Sequence, residues 1–123
     1  MAATILHLHD DLARARTTDA LLTGAGYGRL VSCAVNRYSV DLIAQVTPDV
    51  VVVSLTRPAT REHQAMLAAI VRQVETDDTP LVVCADDPTL GRTLTEVSRG
   101  RTVTPVHRLV DQVAAAMPPQ RRG

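Results

Sequence analysis

The sequence contains no tryptophan and no phenylalanine, and Tyr27 and Tyr38 are its only large aromatic side chains. Hydrophobic residues still make up 46% of the 123 residues, which is enough for the core of one domain. We therefore expect a core built almost entirely from aliphatic side chains.

The chain also lacks an excess of charge, because 13 basic residues balance 13 acidic ones. A balanced chain has no overall field that would attract nucleic acid or an anionic membrane surface, so neither is an expected partner. No apolar run reaches the roughly 18 residues of a membrane span, and the N-terminus lacks the basic segment of a signal peptide. A cytoplasmic location is the expectation.

Cysteine is scarce as well. Cys33 and Cys84 each lie inside an apolar run. Two such residues are typical of reduced core thiols in a cytosolic protein and do not form the framework of a disulfide-stabilised one.

Apolar runs alternate with helical stripes along the whole chain. The predicted strands are residues 4–8, 30–35, 49–55, 81–85 and 101–106, and the predicted helices are residues 12–25, 36–46, 60–74, 89–98 and 107–117. Strands that are continuous apolar runs, separated by helices, favour an α/β fold with a parallel sheet covered on both faces. We expect a single domain over residues 1–117 and a flexible tail over 118–123.

The glycines Gly24, Gly26 and Gly28 stand close together, as they do in nucleotide-binding loops. Here they follow a helix and precede a strand, whereas a phosphate-binding loop follows a strand and opens a helix. They therefore predict a helix C-cap and a turn. For the second helix, Asn36 or Ser39 is the predicted N-cap.

His7 and His9 alternate in the first predicted strand, so both side chains point to one face of the sheet. A metal site needs at least a third protein ligand, and His63 and His107 fall in distant helices. We expect no metal here.

Asp10 and Asp11 follow the first strand directly. Carboxylates at the carboxyl end of a strand can bind a hard cation such as Mg²⁺, and they can equally cap the next helix. The sequence leaves both roles open. Asp86 and Asp87, after the fourth strand, have the same capping interpretation.

Ser54 ends the run of four valines at residues 50–53, at the strand end where chemistry tends to occur in open α/β sheets. A nucleophilic serine needs a base within hydrogen-bond reach and donors for the developing oxyanion. The G-x-S-x-G elbow is absent, and His9 is the base that neighbouring strands would bring near. This is too little to predict hydrolysis, and we expect no enzymatic activity.

Five segments, taken in order, resemble the receiver domain of bacterial two-component response regulators. They are ILHLHDDLARAR, GAGY, TPDVVVVSLTRP, TPLVVCA and RTVTPVHRLVDQV, and together they span residues 4–117. The resemblance implies a doubly wound, flavodoxin-like fold whose five-stranded parallel sheet has the order 2-1-3-4-5.

The residues that operate such receivers are missing at the matching positions. The acidic pair of the family falls on His9 and Asp10, with Asp11 just behind, and the phosphoacceptor aspartate falls on Ser54. The Thr/Ser switch position is Ala85. The lysine that precedes the proline falls on Thr104, followed by Pro105, and Thr102 or Val103 stands at the aromatic switch position.

These losses predict a degenerate receiver that neither accepts nor reports a phosphoryl group, because the carboxylate nucleophile, the hydroxyl and the cation are gone together. The resemblance then implies a stand-alone module that signals by binding a protein, without a cofactor. The usual surface of the family is the fourth helix, fifth strand and fifth helix. Here it carries Arg92, Arg99, Arg101 and Arg108 and would suit an acidic partner or a second copy of the chain.

Two alternatives remain open at this point. The pocket at the strand ends, beside His9, Ser54 and Thr104, could hold a metabolite or an anion. Phosphorylation could also persist, on Ser54 by a kinase or on Asp10 or Asp11 by a phosphodonor. DNA binding is the least supported role, because the charge is balanced and no output domain follows Met117 in the sequence.

Overall fold

The computed structural model describes residues 3–57 and 59–117. Strands and helices alternate along the chain. The strands are β1 (Ala3–His9), β2 (Gly28–Ala34), β3 (Val50–Ser54), β4 (Leu81–Cys84) and β5 (Val103–Thr104), and the helices are α1 (Leu12–Gly24), α2 (Ser39–Val46), α3 (Arg61–Thr76), α4 (Pro88–Val97) and α5 (Leu109–Ala116). A short 3-10 helix over Val106–Arg108 precedes α5. The predicted tail at 118–123 lies outside the described residues.

All five strands are parallel, in the order β2-β1-β3-β4-β5. The predicted doubly wound sheet in the order 2-1-3-4-5 is therefore confirmed. The chain reverses its direction of winding between β1 and β3, which places the carboxyl ends of these two strands at the crevice where open α/β sheets bind ligands.

An aliphatic core covers each face of the sheet. On one face, the α2–α3–α4 side, Leu6, Val51 and Val83 pack against residues such as Ile70 and Leu94. On the other face, the α1–α5 side, the strand residues Ile5, Val52 and Cys84 pack against helix residues such as Leu22 and Leu109. Burial on both faces explains why β3 is a continuous run of valines rather than an alternating pattern.

The fifth strand is shorter than predicted. β5 contains only Val103–Thr104, whereas residues 101–106 were expected to be extended. Pro105 has no N–H to continue the ladder, and the 3-10 helix starts directly after it at Val106. The helix predicted from residue 107 begins as this 3-10 helix and becomes α-helical only at Leu109.

The start of the second helix also differs from the prediction. Asn36 lies in a turn, where its side chain accepts a hydrogen bond from the Tyr38 backbone N–H at 2.7 Å. Ser39 is the first helical residue, and its hydroxyl accepts from the Asn36 N–H at 3.0 Å. Neither residue caps α2, because each satisfies the turn that leads into it.

The glycine cluster has the predicted role. α1 ends at Gly24, Ala25 caps it, and Gly26 adopts a positive φ of 78°, which suits glycine at a turn after a helix.

Within the part of the chain that the structure describes, no helix has both the length and the apolarity to cross a bilayer.

Candidate functional site at the strand ends

Four buried polar or sulfur-containing side chains stand in a row across the carboxyl ends of the central strands. In the sheet register His9 pairs with Ser54, Ser54 with Cys84, and Cys84 with Thr104. Paired residues in a parallel sheet point to the same face, so all four side chains point toward the α1–α5 side.

A cavity of about 580 Å³ opens at this row. Loops after β1, β3 and β4 and the first turns of α1 form its wall. The polar and charged lining residues are His9, Asp10, Asp11, Arg14, Thr17, Thr18, Ser54, Thr56, Asp86 and Asp87, and the remaining ones are Ala15, Leu55, Cys84, Ala85 and Val106. The structure thus brings together the predicted positions His9, Asp10, Asp11, Ser54 and Ala85.

Asp10 fastens the loop that follows β3. Its Oδ1 accepts hydrogen bonds from the Thr56 backbone N–H at 3.0 Å and from the Thr56 hydroxyl at 2.9 Å. Its Oδ2 accepts from the backbone N–H groups of Thr56 and Arg57, both at 3.0 Å. Both carboxylate oxygens therefore stabilise protein backbone in this arrangement.

Asp11 is the N-cap of α1, one of the two roles that the sequence left open. Its Oδ1 accepts from the Arg14 backbone N–H at 3.1 Å, and its Oδ2 lies 3.2 Å from a guanidinium nitrogen of Arg57. The hydrogen bond from the Arg14 N–H, together with that from Arg57, holds the pKa of the Asp11 carboxyl below its ordinary value. Within residues 3–57 and 59–117, no group of three or more His, Cys, Asp or Glu side chains is arranged to hold a metal ion.

Ser54 has a histidine within hydrogen-bond distance, but it is His7 and not His9. The Ser54 Oγ lies 2.5 Å from His7 Nε2, and His7 Nδ1 lies 2.6 Å from Asp19 Oδ1. His7 is completely buried, Ser54 is 6% exposed, and the side chain of Asp19 is 24% exposed. Serine, imidazole and carboxylate therefore form one continuous hydrogen-bonded chain from the cavity to the surface.

Burial lowers the pKa of His7 below its ordinary value, although the hydrogen bond to Asp19 opposes this effect. The neutral imidazole has one N–H, which points to the Asp19 carboxylate because that group can only accept. His7 Nε2 then carries a lone pair, and the Ser54 hydroxyl donates to it.

His9 lies beside this chain without joining it. The ring centroids of His7 and His9 are 5.3 Å apart. His9 is 5% exposed, and its Nδ1 has no hydrogen-bond partner among the described residues. A buried nitrogen without a partner is costly, so a hydrogen bond to this nitrogen would stabilise the site.

Cys84 lies between Ser54 and Thr104 but is a poor nucleophile. Burial, with a smaller contribution from Asp86, raises the pKa of its thiol to about 12. The thiol is therefore protonated at neutral pH and is expected to be inert.

The positions that match the switch residues are buried and joined by a backbone hydrogen bond. Ala85 is buried, and its N–H donates to the Thr104 carbonyl at 3.0 Å. Thr104 is buried as well, and Pro105 follows it as the N-cap of the 3-10 helix. Asp86 accepts a hydrogen bond from the Val106 N–H at 2.9 Å, which ties the loop after β4 to the chain after β5.

The four arginines of the predicted interaction surface fall into two pairs. Arg99 and Arg101 both lie near Glu75 of α3, at 3.1 and 3.9 Å. Arg92 and Arg108 are exposed, and no ion pair involves either of them in the described part of the chain. Of these four arginines, Arg92 and Arg108 are thus the two that have no ion-pair partner among the described residues.

Sequence reasoning missed Asp19, Thr56 and the role of His7. Asp19 is a polar residue within α1, one turn before the buried Leu22. The alternation of β1 already placed His7 on the face that α1 covers, and an acidic residue near the middle of that helix was the available signal.

No model of a protein family matches the sequence, and comparison with curated protein sequences finds no match. Solved structures do match. A response regulator protein from Burkholderia multivorans is 22% identical, with a TM-score of 0.62 over 99% of this chain and 100% of that one. A response regulator receiver domain from Francisella is 16% identical, with a TM-score of 0.64 over 93% of this chain and 95% of that one.

A de novo designed protein with a Rossmann 2x3 fold matches equally well in shape, with 12% identity and a TM-score of 0.65 over 98% of both chains. Identities in this range establish the fold alone. The chain has the fold of response regulator receiver domains, and its function has to be argued from its own residues.

Proposed function

We propose that this chain is a receiver-like signalling domain that works without aspartyl phosphorylation, as a non-enzymatic module that binds a protein partner. One observation carries the proposal. The phosphoacceptor position is occupied by Ser54, whose hydroxyl is hydrogen-bonded to His7, while both oxygens of Asp10 hold the loop after β3.

Phosphoryl transfer depends on positive charge around the transferred group. The sequence contains no lysine at all, and the position matching the family's lysine is the buried Thr104. Asp10 and Asp11 are engaged by N–H donors, so a metal would have to compete with these hydrogen bonds. Among the described lining residues of the cavity, a phosphoryl dianion would thus meet the four carboxylates of Asp10, Asp11, Asp86 and Asp87 and a single arginine, Arg14.

The contact surface that we propose consists of α4, β5 and α5. A groove of about 610 Å³ runs between α4 and β5, and Arg92 lines it together with the acidic Asp86, Asp87 and Glu96. The preference for an acidic partner therefore rests on the two exposed arginines of the surface and not on the groove as a whole. Because Arg92 and Arg108 are exposed and outside any ion pair of the described structure, they favour an acidic protein surface as the partner. A second copy of the chain is the other candidate occupant.

The absence of phosphorylation is tested with Mg²⁺ and phosphoramidate. Phosphoramidate is a donor that can transfer only a phosphoryl group. Intact-mass spectrometry is expected to detect no phosphorylated protein, while an active receiver domain treated in parallel becomes labelled. Stoichiometric, Mg²⁺-dependent labelling would contradict the proposal, and peptide mapping would show whether Asp10, Asp11 or Ser54 carries the group.

The surface is tested with the variants Arg92→Glu and Arg108→Glu. Each is expected to weaken capture of the partner from host extracts, or self-association in sedimentation experiments, without changing the melting temperature. Arg72→Glu is the matched control, since Arg72 is an exposed arginine on α3. Equal capture by all three variants would show that the surface lies elsewhere.

A second candidate is a sensor of a small molecule in the strand-end cavity. The unpartnered Nδ1 of the buried His9 favours it, because a ligand with a hydrogen-bonding group would satisfy that nitrogen. A metabolite that raises the melting temperature of the chain, but not of a His9→Leu variant, would support this function. Kinase action on Ser54 has less support, because Ser54 is buried in a central strand.

A further inference from the structure

Three side chains from distant parts of the chain lie in the order required of a serine nucleophile, its base and the group that orients the base. Ser54 ends β3, His7 belongs to β1 and Asp19 to α1, and the two hydrogen bonds that join them measure 2.5 and 2.6 Å. From this geometry we infer that Ser54 is a nucleophile that accepts an acyl group from a small uncharged acyl donor, with His7 as base and Asp19 as its positioning residue.

The direction of the hydrogen bonds suits this chemistry. The Asp19 carboxylate accepts from the His7 Nδ1–H, which fixes the tautomer and leaves Nε2 free to take the proton of the Ser54 hydroxyl. The Asp19 bond also fixes the orientation of the imidazole ring, and the complete burial of His7 restricts it further. No rearrangement is needed before attack.

Ser54 is accessible from the cavity, whereas His7 is not. Ser54 lines the cavity of about 580 Å³, whereas His7 is not among its lining residues and has no exposed surface. A reagent in the cavity therefore reaches the serine and not the base.

The charges of the cavity select the kind of electrophile. Four carboxylates line it, those of Asp10, Asp11, Asp86 and Asp87, and Arg14 is the one arginine among the described lining residues. An anionic phosphoryl or carboxylate donor would be repelled by this excess of negative charge. The carbonyl carbon of an ester carries no net charge, and the aliphatic surfaces of Leu55 and Val106 in the same wall favour a small apolar acyl group.

In the reaction, Ser54 Oγ attacks the carbonyl carbon of the ester while His7 Nε2 takes the hydroxyl proton. The bond from the carbonyl carbon to the leaving oxygen then breaks. Because the reagent cannot reach His7, the leaving oxygen takes a proton from solvent in the cavity, and the imidazole returns its extra proton to solvent through the partly exposed Asp19. The net change converts serine and ester into acyl-serine and alcohol, with no oxidant or further reactant. Arg14 is the lining cation that could stabilise the negative charge on the carbonyl oxygen.

The backbone explains why one acylation is expected rather than rapid turnover. The N–H of Leu55 donates to the Cys84 carbonyl, and that of Thr56 donates to Asp10. The N–H groups that directly follow the nucleophile are therefore not free to form an oxyanion hole, which would normally accelerate acylation and deacylation. A slowly formed and persistent adduct is the expected product.

The test uses p-nitrophenyl acetate on the full chain, with intact-mass spectrometry and peptide mapping over time. One acetyl group on Ser54 is expected, and Ser54→Ala should lose it. Ser32→Ala is the matched control, since Ser32 is exposed on β2 and pairs with His7 in the sheet register. Asp19→Asn should slow labelling of Ser54 by roughly 100-fold or more, the range of general base catalysis.

The pH profile separates a positioning role of Asp19 from a merely structural one. Labelling of the wild-type chain should rise with pH in a single histidine-like titration and then level off. Asp19→Asn should lower that plateau and alter the profile at an unchanged melting temperature. Absence of label on Ser54, or labelling at the same rate in the urea-unfolded chain, would overturn the inference.

This inference is independent of the proposed signalling role. Phosphoramidate cannot donate an acyl group and p-nitrophenyl acetate cannot donate a phosphoryl group. A result that contradicts one proposal therefore leaves the other unaffected.

Discussion

At the scale of single residues, His7 is a polar group held tightly inside the fold. It is fully buried between Ser54 and Asp19, and both ring nitrogens have a partner. A buried imidazole satisfied in this way stabilises the fold in its neutral form, whereas its protonation would place a charge inside the α1–α5 side of the core.

The stability of the protein should therefore depend on the protonation of His7. Burial places the pKa of folded His7 below its ordinary value of 6.5, which applies to the unfolded chain. The unfolded state then binds more protons, so the free energy of unfolding should fall as the pH is lowered through 6.5 toward the folded pKa. One such group contributes at most about 1.4 kcal/mol per pH unit.

Urea unfolding between pH 5 and pH 8 measures this effect. A His7→Gln variant, compared over the same range, removes the titrating group and should have a flatter dependence below neutral pH. An equal slope in both proteins would show that the acid sensitivity does not come from His7.

The contact between His7, Ser54 and Asp19 illustrates what the sequence could and could not predict at this scale. Strand alternation predicted that His7 and His9 share a face, and His9 was the histidine expected near Ser54, whereas His7 is the one that is hydrogen-bonded to it. Which of the two reaches the hydroxyl depends on side-chain direction and on the helix above, and sequence spacing contains neither. The bond joins residues 47 positions apart in the chain.

At the scale of elements, Asp10 connects β1 to the loop between β3 and α3. Replacing it with alanine should leave the partly buried N–H group of Thr56 and the exposed N–H group of Arg57 without their acceptor. We expect a loss of about 1–3 kcal/mol in the free energy of unfolding, the usual cost of unsatisfied buried donors. Glu96→Ala, at an exposed site of α4, is the control and should change stability by less than about 0.5 kcal/mol.

Amide hydrogen exchange gives a second readout for Asp10→Ala. Faster exchange at Thr56 and Arg57, with the amides of β1 unchanged, is the expected pattern. Unchanged exchange in the loop would mean that Asp10 does not hold it.

Most elements were predictable because their signals are local. The apolar stripe of α3 has a helical period, the valine run of β3 is that of a strand buried on both faces, and Gly26 forms the turn after α1 as expected. The errors fall where a local hydrogen bond decides the boundary. β5 stops at Pro105, which lacks an N–H, and α2 starts late because Asn36 and Ser39 satisfy a turn.

At the scale of the whole molecule, stability comes from aliphatic packing on both faces of the sheet. Ile70 of α3 is fully buried on the α2–α3–α4 side, and no large aromatic ring is available to fill space there. Ile70→Ala should lower the free energy of unfolding by about 2–5 kcal/mol and Ile70→Val by about 0.5–1.5 kcal/mol. Leu12, which is 62% exposed, is the control site.

Chemical denaturation checks these values, and the order Ile70→Ala, Ile70→Val, Leu12→Ala should hold from most to least destabilised. A cost for Leu12→Ala as large as that for Ile70→Ala would show that Leu12 packs against something that covers it in solution. The sequence predicted this two-sided core correctly, because continuous apolar strands alternating with helices leave few other arrangements.

The alkylation rate of the Cys84 thiol would measure local opening at this end of the sheet. Because Cys84 has no exposed surface and its pKa is raised to about 12, an alkylating reagent should modify it only when the strand ends separate. Its alkylation rate, followed against that of the partly exposed Cys33, would report how often the folded protein opens, without any introduced label.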